Sequence, residues 1–162
     1  MAYVINNPRI GMQKIATSDT VQNLPLGTVV TANDPTYGTG EFVYLVGVAS
    51  TAVGSPVTYN VTTYQTALAP AGANIPQPVA IAMSANGAAA YGWYQISGLA
   101  VAVKSAVSLS LNGTCGITTA GTLAASATGA ELQGVVVAAV AIASATSVQV
   151  MISRPHMQGR IT

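Results

Sequence analysis

Enzymatic chemistry needs polar side chains that folding can bring together, and this chain of 162 residues offers few of them. Its carboxylate, thiol and imidazole groups are those of Asp19, Asp34, Glu41, Glu131, Cys115 and His156. Folding could still assemble two carboxylates for general acid–base work. However, Asp34 lies in an Asn-Asp-Pro sequence typical of a turn, and Glu41 and Glu131 each open a predicted strand. We therefore predict that the chain is not an enzyme and has no catalytic residue.

Motifs for metals and cofactors are also missing from the sequence. One histidine and one cysteine do not supply the usual zinc ligand sets. The Gly-rich stretches 37–40 and 113–121 lack the patterns of phosphate-binding loops, and no Gly-x-Ser-x-Gly motif exposes a serine. A lone cysteine forms no disulfide within the chain, and the neighbours of Cys115 include no base that would activate its thiol. We expect no metal, no cofactor and no small-molecule substrate.

The densest aromatic set is the sequence Tyr91-Gly-Trp93-Tyr94. Such rings could stack on a sugar. An aromatic set within a strand more often belongs to a core or a protein interface, because each ring buries about 150–250 Å². The pattern therefore favours packing over ligand binding.

Charge is unusually scarce in this chain. Only 6% of the residues are charged, 51% are hydrophobic, and the formal net charge is +1. A net charge near zero promotes association, so we expect much of the surface to be covered in an assembly. No basic run suggests nucleic acid or an anionic membrane. The apolar run 134–143 falls short of the ~20 residues of a spanning helix, and residues 1–14 do not resemble a secretory leader.

Strand signals recur along the chain between Gly and Pro residues. The predicted strands are 27–32, 41–48, 57–64, 79–83, 91–98, 99–104, 135–143 and 147–153, with Gly98 as a break. Alanine also allows a helix over 124–145, but Gly129, Gly134 and three consecutive valines favour a strand. The sequence predicts an all-β fold, namely a compact antiparallel β-barrel or sandwich with an extended N-terminal arm.

Three regions differ in character: an N-terminal arm over 1–26, a β domain over 27–153 and a C-terminal tail over 154–162. We predict that the arm binds a partner, with a short strand adding to an exposed sheet edge and two cations pairing with carboxylates. The predicted partner-binding residues are Tyr3, Val4, Ile5, Arg9 and Lys14. The alternative is that the arm folds back on its own domain.

Several segments resemble a known family once the strands are laid out. They are DPTYGTGEFVYLVGVAST (34–51), VTYN (57–60), VAIAMSAN (79–86), YGWYQISGLAVA (91–102) and TAGTLAASATGAELQGVVVAAVAIA (119–143). Together they are similar to small virion structural proteins of tailed bacteriophages, over about residues 19–153.

This resemblance implies a capsid decoration (cement) protein, made in the bacterial cytoplasm and placed on the outer capsid surface of the virion. Such a protein binds major capsid subunits and itself, commonly as a homotrimer, and clamps neighbouring subunits together. The alternative is a tail fibre or spike adhesion module that binds a host receptor through the aromatic residues 91–94.

Overall fold

A computed structural model describes residues 2–7 and 12–159, and every regular element in this part of the chain is a β-strand. The strands are β1 (Val4–Ile5), β2 (Ser18–Asp19), β3 (Val29–Asp34), β4 (Gly38–Val46), β5 (Pro56–Tyr59), β6 (Thr66–Leu68), β7 (Val79–Ala82), β8 (Tyr91–Val103), β9 (Cys115–Thr119), β10 (Thr122–Ala125), β11 (Leu132–Val137) and β12 (Ser147–Met157). The predicted all-β class is confirmed.

Ten strands form one large antiparallel sheet, and β9 and β10 pair in a separate hairpin. The main path runs β1-β3-β4-β8-β7-β5-β6, and β2, β11 and β12 join it through β8. One parallel bridge between Val46 and Gln65 brings β6 back toward β4, so the sheet curls without closing into a continuous barrel. Of the two predicted architectures, the sandwich fits and the closed barrel does not.

The long strand β8 organises the sheet. Ser97 pairs with Glu41 of β4 on one edge and with Ser153 of β12 on the other. The predicted break at Gly98 does not occur, since the strand continues through this residue. Gly98 has a φ of +99°, and a Cβ there would lie 2.5 Å from the carbonyl oxygen of Thr39. The glycine is therefore explained by a close backbone approach and not by a strand end.

Side chains alternate along β4 and bury both of its faces. Phe42 and Tyr44 enter an aromatic core, which consists of Tyr3, Ile15, Ala32, Phe42, Tyr44, Met83 and Trp93. Val43 and Leu45 enter an inner core inside the curled sheet, with Val57, Ala80, Ala82, Tyr94 and Ile96. A third, aliphatic core lies under the second half of β8 and under β12, and it includes Ala100, Ala102, Leu123, Leu132, Val148, Val150 and Ile152.

The N-terminal segment lies against its own domain wherever the structure describes it. Strand β1 pairs with β3, with Val4 opposite Asn33. Gln13 is buried, and its side-chain amide donates to the carbonyl oxygens of Thr17 and Tyr91 at 2.6 and 3.0 Å. The segment thus forms a layer over the aromatic core, and contact with a neighbouring protein remains a prediction.

Every predicted strand differs from the observed strand at one end or both, including those that correspond to β5, β11 and β12. The strand predicted over 57–64 ends at Tyr59, because the Asn60 side-chain oxygen accepts the N–H groups of Thr62 and Thr63 in a turn. The strand predicted over 135–143 ends at Val137. Strand β12 continues past the predicted boundary at 153 to Met157, so residues 154–157 belong to the sheet.

Sequence reasoning missed the β9–β10 hairpin, which lies in the Gly- and Thr-rich stretch 112–129. Its inward residues are Cys115, Ile117 and Leu123, and all three belong to the aliphatic core. Small and polar residues between them hide the alternation, so composition alone predicts a loop here.

Candidate assembly surface

The carboxylate of Asp34 has the structural role that its turn sequence predicts. Its Oδ1 atom accepts the N–H groups of Thr36 and Tyr37 at 2.8 and 3.0 Å, and its Oδ2 atom accepts that of Ala2. Burial opposes ionisation, but these backbone hydrogen bonds outweigh it and lower the pKa of Asp34 below 3.8. The ionised group ties the N-terminal strand to the β3–β4 turn.

Cys115 is a core residue with an inert thiol. It is fully buried, and burial followed by the nearby charge of Glu131 raises the pKa of its thiol to about 12. A thiol becomes a nucleophile as the thiolate, so Cys115 is unreactive at neutral pH.

Lys104 is buried without a carboxylate partner. Only 5% of it is exposed, and its ammonium donates to the carbonyl oxygens of Ser105 and Val107 at 2.9 and 2.8 Å and of Ala143 at 3.5 Å. These bonds replace hydration of the charge and hold the loop after β8 to the loop before β12. The lysine therefore has a structural role.

Two further features of the described residues bear on function. Residues 2–7 and 12–159 contain no group of three or more His, Cys, Asp or Glu side chains that could hold a metal ion. In the same ranges, no helix has the length and hydropathy that a membrane crossing requires.

The aromatic residues 91–94 belong to the core, as their strand position predicts. Trp93 and Tyr94 are fully buried and Tyr91 is half-buried. The indole N–H of Trp93 donates to the carbonyl oxygen of Gln13 at 3.0 Å, and its ring lies 5.1 Å from that of Tyr44. The Trp93 and Tyr94 rings are therefore not available as a stacking platform for a sugar.

The predicted partner-binding residues have different environments. Tyr3 is buried, its ring packs edge-on against Phe42 at 4.8 Å, and its hydroxyl donates to the carbonyl oxygen of Leu99 at 3.0 Å. Val4 is 69% exposed, Ile5 is half-buried, and Lys14 is exposed. Arg9 lies outside the described residues. Tyr3 precedes β1, which contains Val4 and Ile5, and of these three side chains only that of Val4 is largely exposed to solvent.

A different surface has the properties of a protein contact. Leu99, Met151 and Val136 lie directly opposite one another on β8, β12 and β11. Met151 is 50% exposed and Val136 is 42% exposed. Met151 and Val136 are thus two exposed large hydrophobic residues that lie directly opposite each other. In the described chain, no other cross-strand pair consists of two large hydrophobic residues that are both this exposed.

Neighbouring rows extend this surface, because the β8–β12 register runs without a shift from Ser97 to Val103. Val101 lies opposite Gln149, and Val103 lies opposite Ser147. The strand segments 97–103, 134–138 and 147–153 contain no charged residue. We call the outward side of these three segments the assembly face. Its opposite side buries Ala100, Ala102, Val148, Val150 and Ile152 in the aliphatic core.

Polar and apolar features border the assembly face. At one end Glu41 is adjacent to Ser97, and its carboxylate accepts a hydrogen bond from the Arg154 guanidinium at 3.0 Å. The Arg154 side chain lies beside Tyr59, Val61 and Ile96, on the side of β8 opposite to Ser97 and Leu99. Arg154 has a φ of +43°, at the irregularity where β12 passes Gly134. At the other end, Val140 and Ile142 of the loop after β11 are 69% and 65% exposed.

The backbone at Gly134 explains how β11 reaches the assembly face. Its φ is +74°, and a Cβ there would lie 2.6 Å from the carbonyl oxygen of Ser153. Only glycine permits this approach, which lets the pairing resume with Val135 and Val136 in the register that sets Val136 beside Met151.

Sequence reasoning did not find the assembly face. The run 134–143 is apolar throughout, so the sequence does not distinguish the buried Val135 and Val137 from the exposed Val136. The informative signal was the absence of charge across three segments that the sheet then brings together.

Comparisons of the chain with protein-family models, with curated proteins and with solved structures find no match.

Proposed function

We propose that this chain is a non-enzymatic structural protein of a tailed-phage virion that decorates the capsid and stabilises it by binding major capsid subunits as an oligomer. The observation that carries the proposal is the assembly face, an apolar sheet surface without charge. Isolated exposed hydrophobic residues are common, but contiguous apolar patches with a polar rim are typical of protein contacts. The phage assignment itself rests on the resemblance of residues 19–153.

The mechanism needs no reaction. A protein that binds only the assembled lattice stabilises that lattice in proportion to its occupancy. Each contact is modest for a face of this size, but an oligomer that engages several subunits at once gains avidity through effective concentration. Scarce surface charge suits this role, because charged groups are depleted at the centres of protein interfaces.

The proposal keeps a partner-binding role for the N-terminal segment, but with fewer contact residues. Tyr3 is part of the aromatic core, so among the described residues the exposed Val4 and Lys14 side chains are the positions left to meet a capsid subunit. Arg9, outside the described residues, stays a predicted partner-binding residue. Lys14 would pair with a carboxylate of the shell, and Val4 would pack beside it.

The experiment is cryo-electron microscopy of native particles, followed by particles assembled with variant chains. We expect density for the chain on the outer capsid surface and a lower occupancy for Met151→Lys. Val21→Lys is the matched control, because Val21 is 63% exposed and follows β2, which pairs with the opposite end of β8 at Tyr91 and Gly92. Density at the tail tip or along a fibre would contradict the proposal, as would equal capsid occupancy of both variants.

A further inference from the structure

We infer that Met151 is an oxidation site that controls the assembly face: a hydroperoxide converts its thioether to the sulfoxide, and the chain then loses the protein contact of this face. The inference rests on the proposed function in one respect, that the assembly face is a protein contact. It adds a modification site to that function and names the class of reagent that acts there.

The first argument is the position of Met151 on its strand. The outward positions of the segment 147–153 are Ser147, Gln149, Met151 and Ser153, and the side chains between them are buried. Met151 is the only apolar side chain among these four. It stands between Leu99 of β8 and Val136 of β11 and is the most exposed of the three. Much of the apolar character of the face therefore belongs to this one side chain.

The second argument is the protection of the other sulfur atoms in the described chain. Met83 and Met157 are 3% and 1% exposed, and Met12 is half-buried against the aromatic core. Cys115 is buried in the aliphatic core, and its thiol does not ionise at neutral pH. Since oxidation of a side chain requires access, Met151 is the described sulfur atom that a dissolved oxidant reaches first.

The reaction is the transfer of one oxygen atom. The thioether sulfur attacks the terminal oxygen of the hydroperoxide, so a sulfur–oxygen bond forms and the oxygen–oxygen bond breaks. The proton on the transferred oxygen passes to the leaving oxygen, which departs as water from hydrogen peroxide or as an alcohol from an organic hydroperoxide. Sulfur is oxidised by two electrons and the peroxide is reduced by two. No catalytic residue is needed, and a methionine sulfoxide reductase restores the thioether.

The sulfoxide places a polar oxygen at the centre of an apolar row. The neighbours Leu99 and Val136 have hydrocarbon side chains, which offer that oxygen no donor. In a contact that excludes water the oxygen loses its hydration without compensation, which disfavours binding. In the free chain the same oxygen stays in water, so the fold itself loses little.

The first test treats the purified full chain with hydrogen peroxide and follows each methionine by peptide mass spectrometry. We expect Met151 to oxidise at least tenfold faster than Met83 and Met157, with Met12 between them. In urea these differences should disappear, because unfolding exposes every methionine. Sulfoxide at Met83 or Met157 as early as at Met151 in the folded chain would overturn the inference, as would a Met151 that stays reduced.

The second test measures binding of the treated chain to particles assembled without it. Met151→Leu is the matched control, because leucine keeps the position apolar and has no sulfur to oxidise. We expect peroxide to weaken binding of the natural chain at least tenfold, the reductase to restore it, and Met151→Leu to bind equally before and after treatment. Equal losses in both chains, or no loss in the natural chain, would overturn the inference.

A readout without any partner keeps the two proposals separate. Retention on a phenyl column reports the apolar surface of the free chain, so the oxidised natural chain should elute earlier and treated Met151→Leu should not shift. Failure of the reduced chain to bind capsids contradicts the proposed function, while the retention and the order of oxidation still decide whether Met151 controls the face. Unchanged retention of a chain oxidised at Met151 overturns the inference and leaves the capsid role intact.

Discussion

Replacing Tyr3 by alanine should destabilise the whole domain. The ring is buried against Phe42, and the hydroxyl donates to the carbonyl oxygen of Leu99. Removing a buried aromatic side chain costs about 3–5 kcal/mol, and the lost hydrogen bond is worth about 1 kcal/mol. A segment near the terminus relaxes more easily than a central strand, so we expect a loss of about 3–4 kcal/mol, or roughly 10 °C in melting temperature.

The assay is urea denaturation followed by the fluorescence of Trp93, which is the only tryptophan and lies in the same core. Tyr3→Phe should lose about 1 kcal/mol, because only the hydroxyl is removed. Val4→Ala is the matched control, since Val4 is 69% exposed and its change should stay within about 0.5 kcal/mol. If Tyr3→Ala also stays within about 0.5 kcal/mol, the N-terminal segment is a free arm and the packing argument is refuted.

Three further predictions concern buried or ionised groups. Lys104→Met should lower the free energy of unfolding by about 1–3 kcal/mol, because buried carbonyl oxygens lose their donor. Thermal melting should show no comparable loss for Lys14→Met, since Lys14 is exposed. Equal melting temperatures of both variants would contradict the structural role of Lys104. The Cys115 thiol, with its pKa of about 12, should stay unlabelled by a thiol reagent at about pH 8 until the protein unfolds, and prompt labelling of the native chain would contradict its burial. The pKa of Asp34 is lowered in the fold, so its stabilising contribution is present above 3.8 and is lost as the pH falls through the lower, folded value. The melting temperature should therefore drop below about pH 4, and by less in Asp34→Asn; an equal drop in both chains would show that other groups govern acid unfolding.

Local patterns in the sequence predict much of this fold. Val29–Asp34, Gly38–Val46 and Val79–Ala82 form strands because β-branched and aromatic residues lie between Gly and Pro punctuation. The turn at Asp34 follows from an Asx hydrogen bond that the side chain makes to its own local backbone. These features depend on contacts within a few residues, so a single sequence contains the information.

Features that depend on distant contacts could not be predicted in this way. Gly98 suggests a strand end in the sequence, but the strand continues through it. Only the close approach of the Thr39 backbone explains why a glycine is needed at this position. The role of Tyr3 depends on a carbonyl oxygen 96 residues away. The assembly face likewise requires the register between β8 and β12, which the alternation in either strand alone does not determine.

The length of β8 also affects when the domain can complete its fold during synthesis. The first half of β8 pairs with β4, which is synthesised before it. The second half pairs with β12, which begins at Ser147, 44 residues after Val103, and is therefore synthesised later. At about 5–20 residues per second this delay lasts seconds. During it Ala100 and Ala102 lack the β12 side chains that complete the aliphatic core, namely Val148, Val150, Ile152 and Met157, and strand edges on the ribosome-bound chain stay unpaired. The nascent chain therefore exposes apolar side chains and unpaired strand edges until β12 emerges.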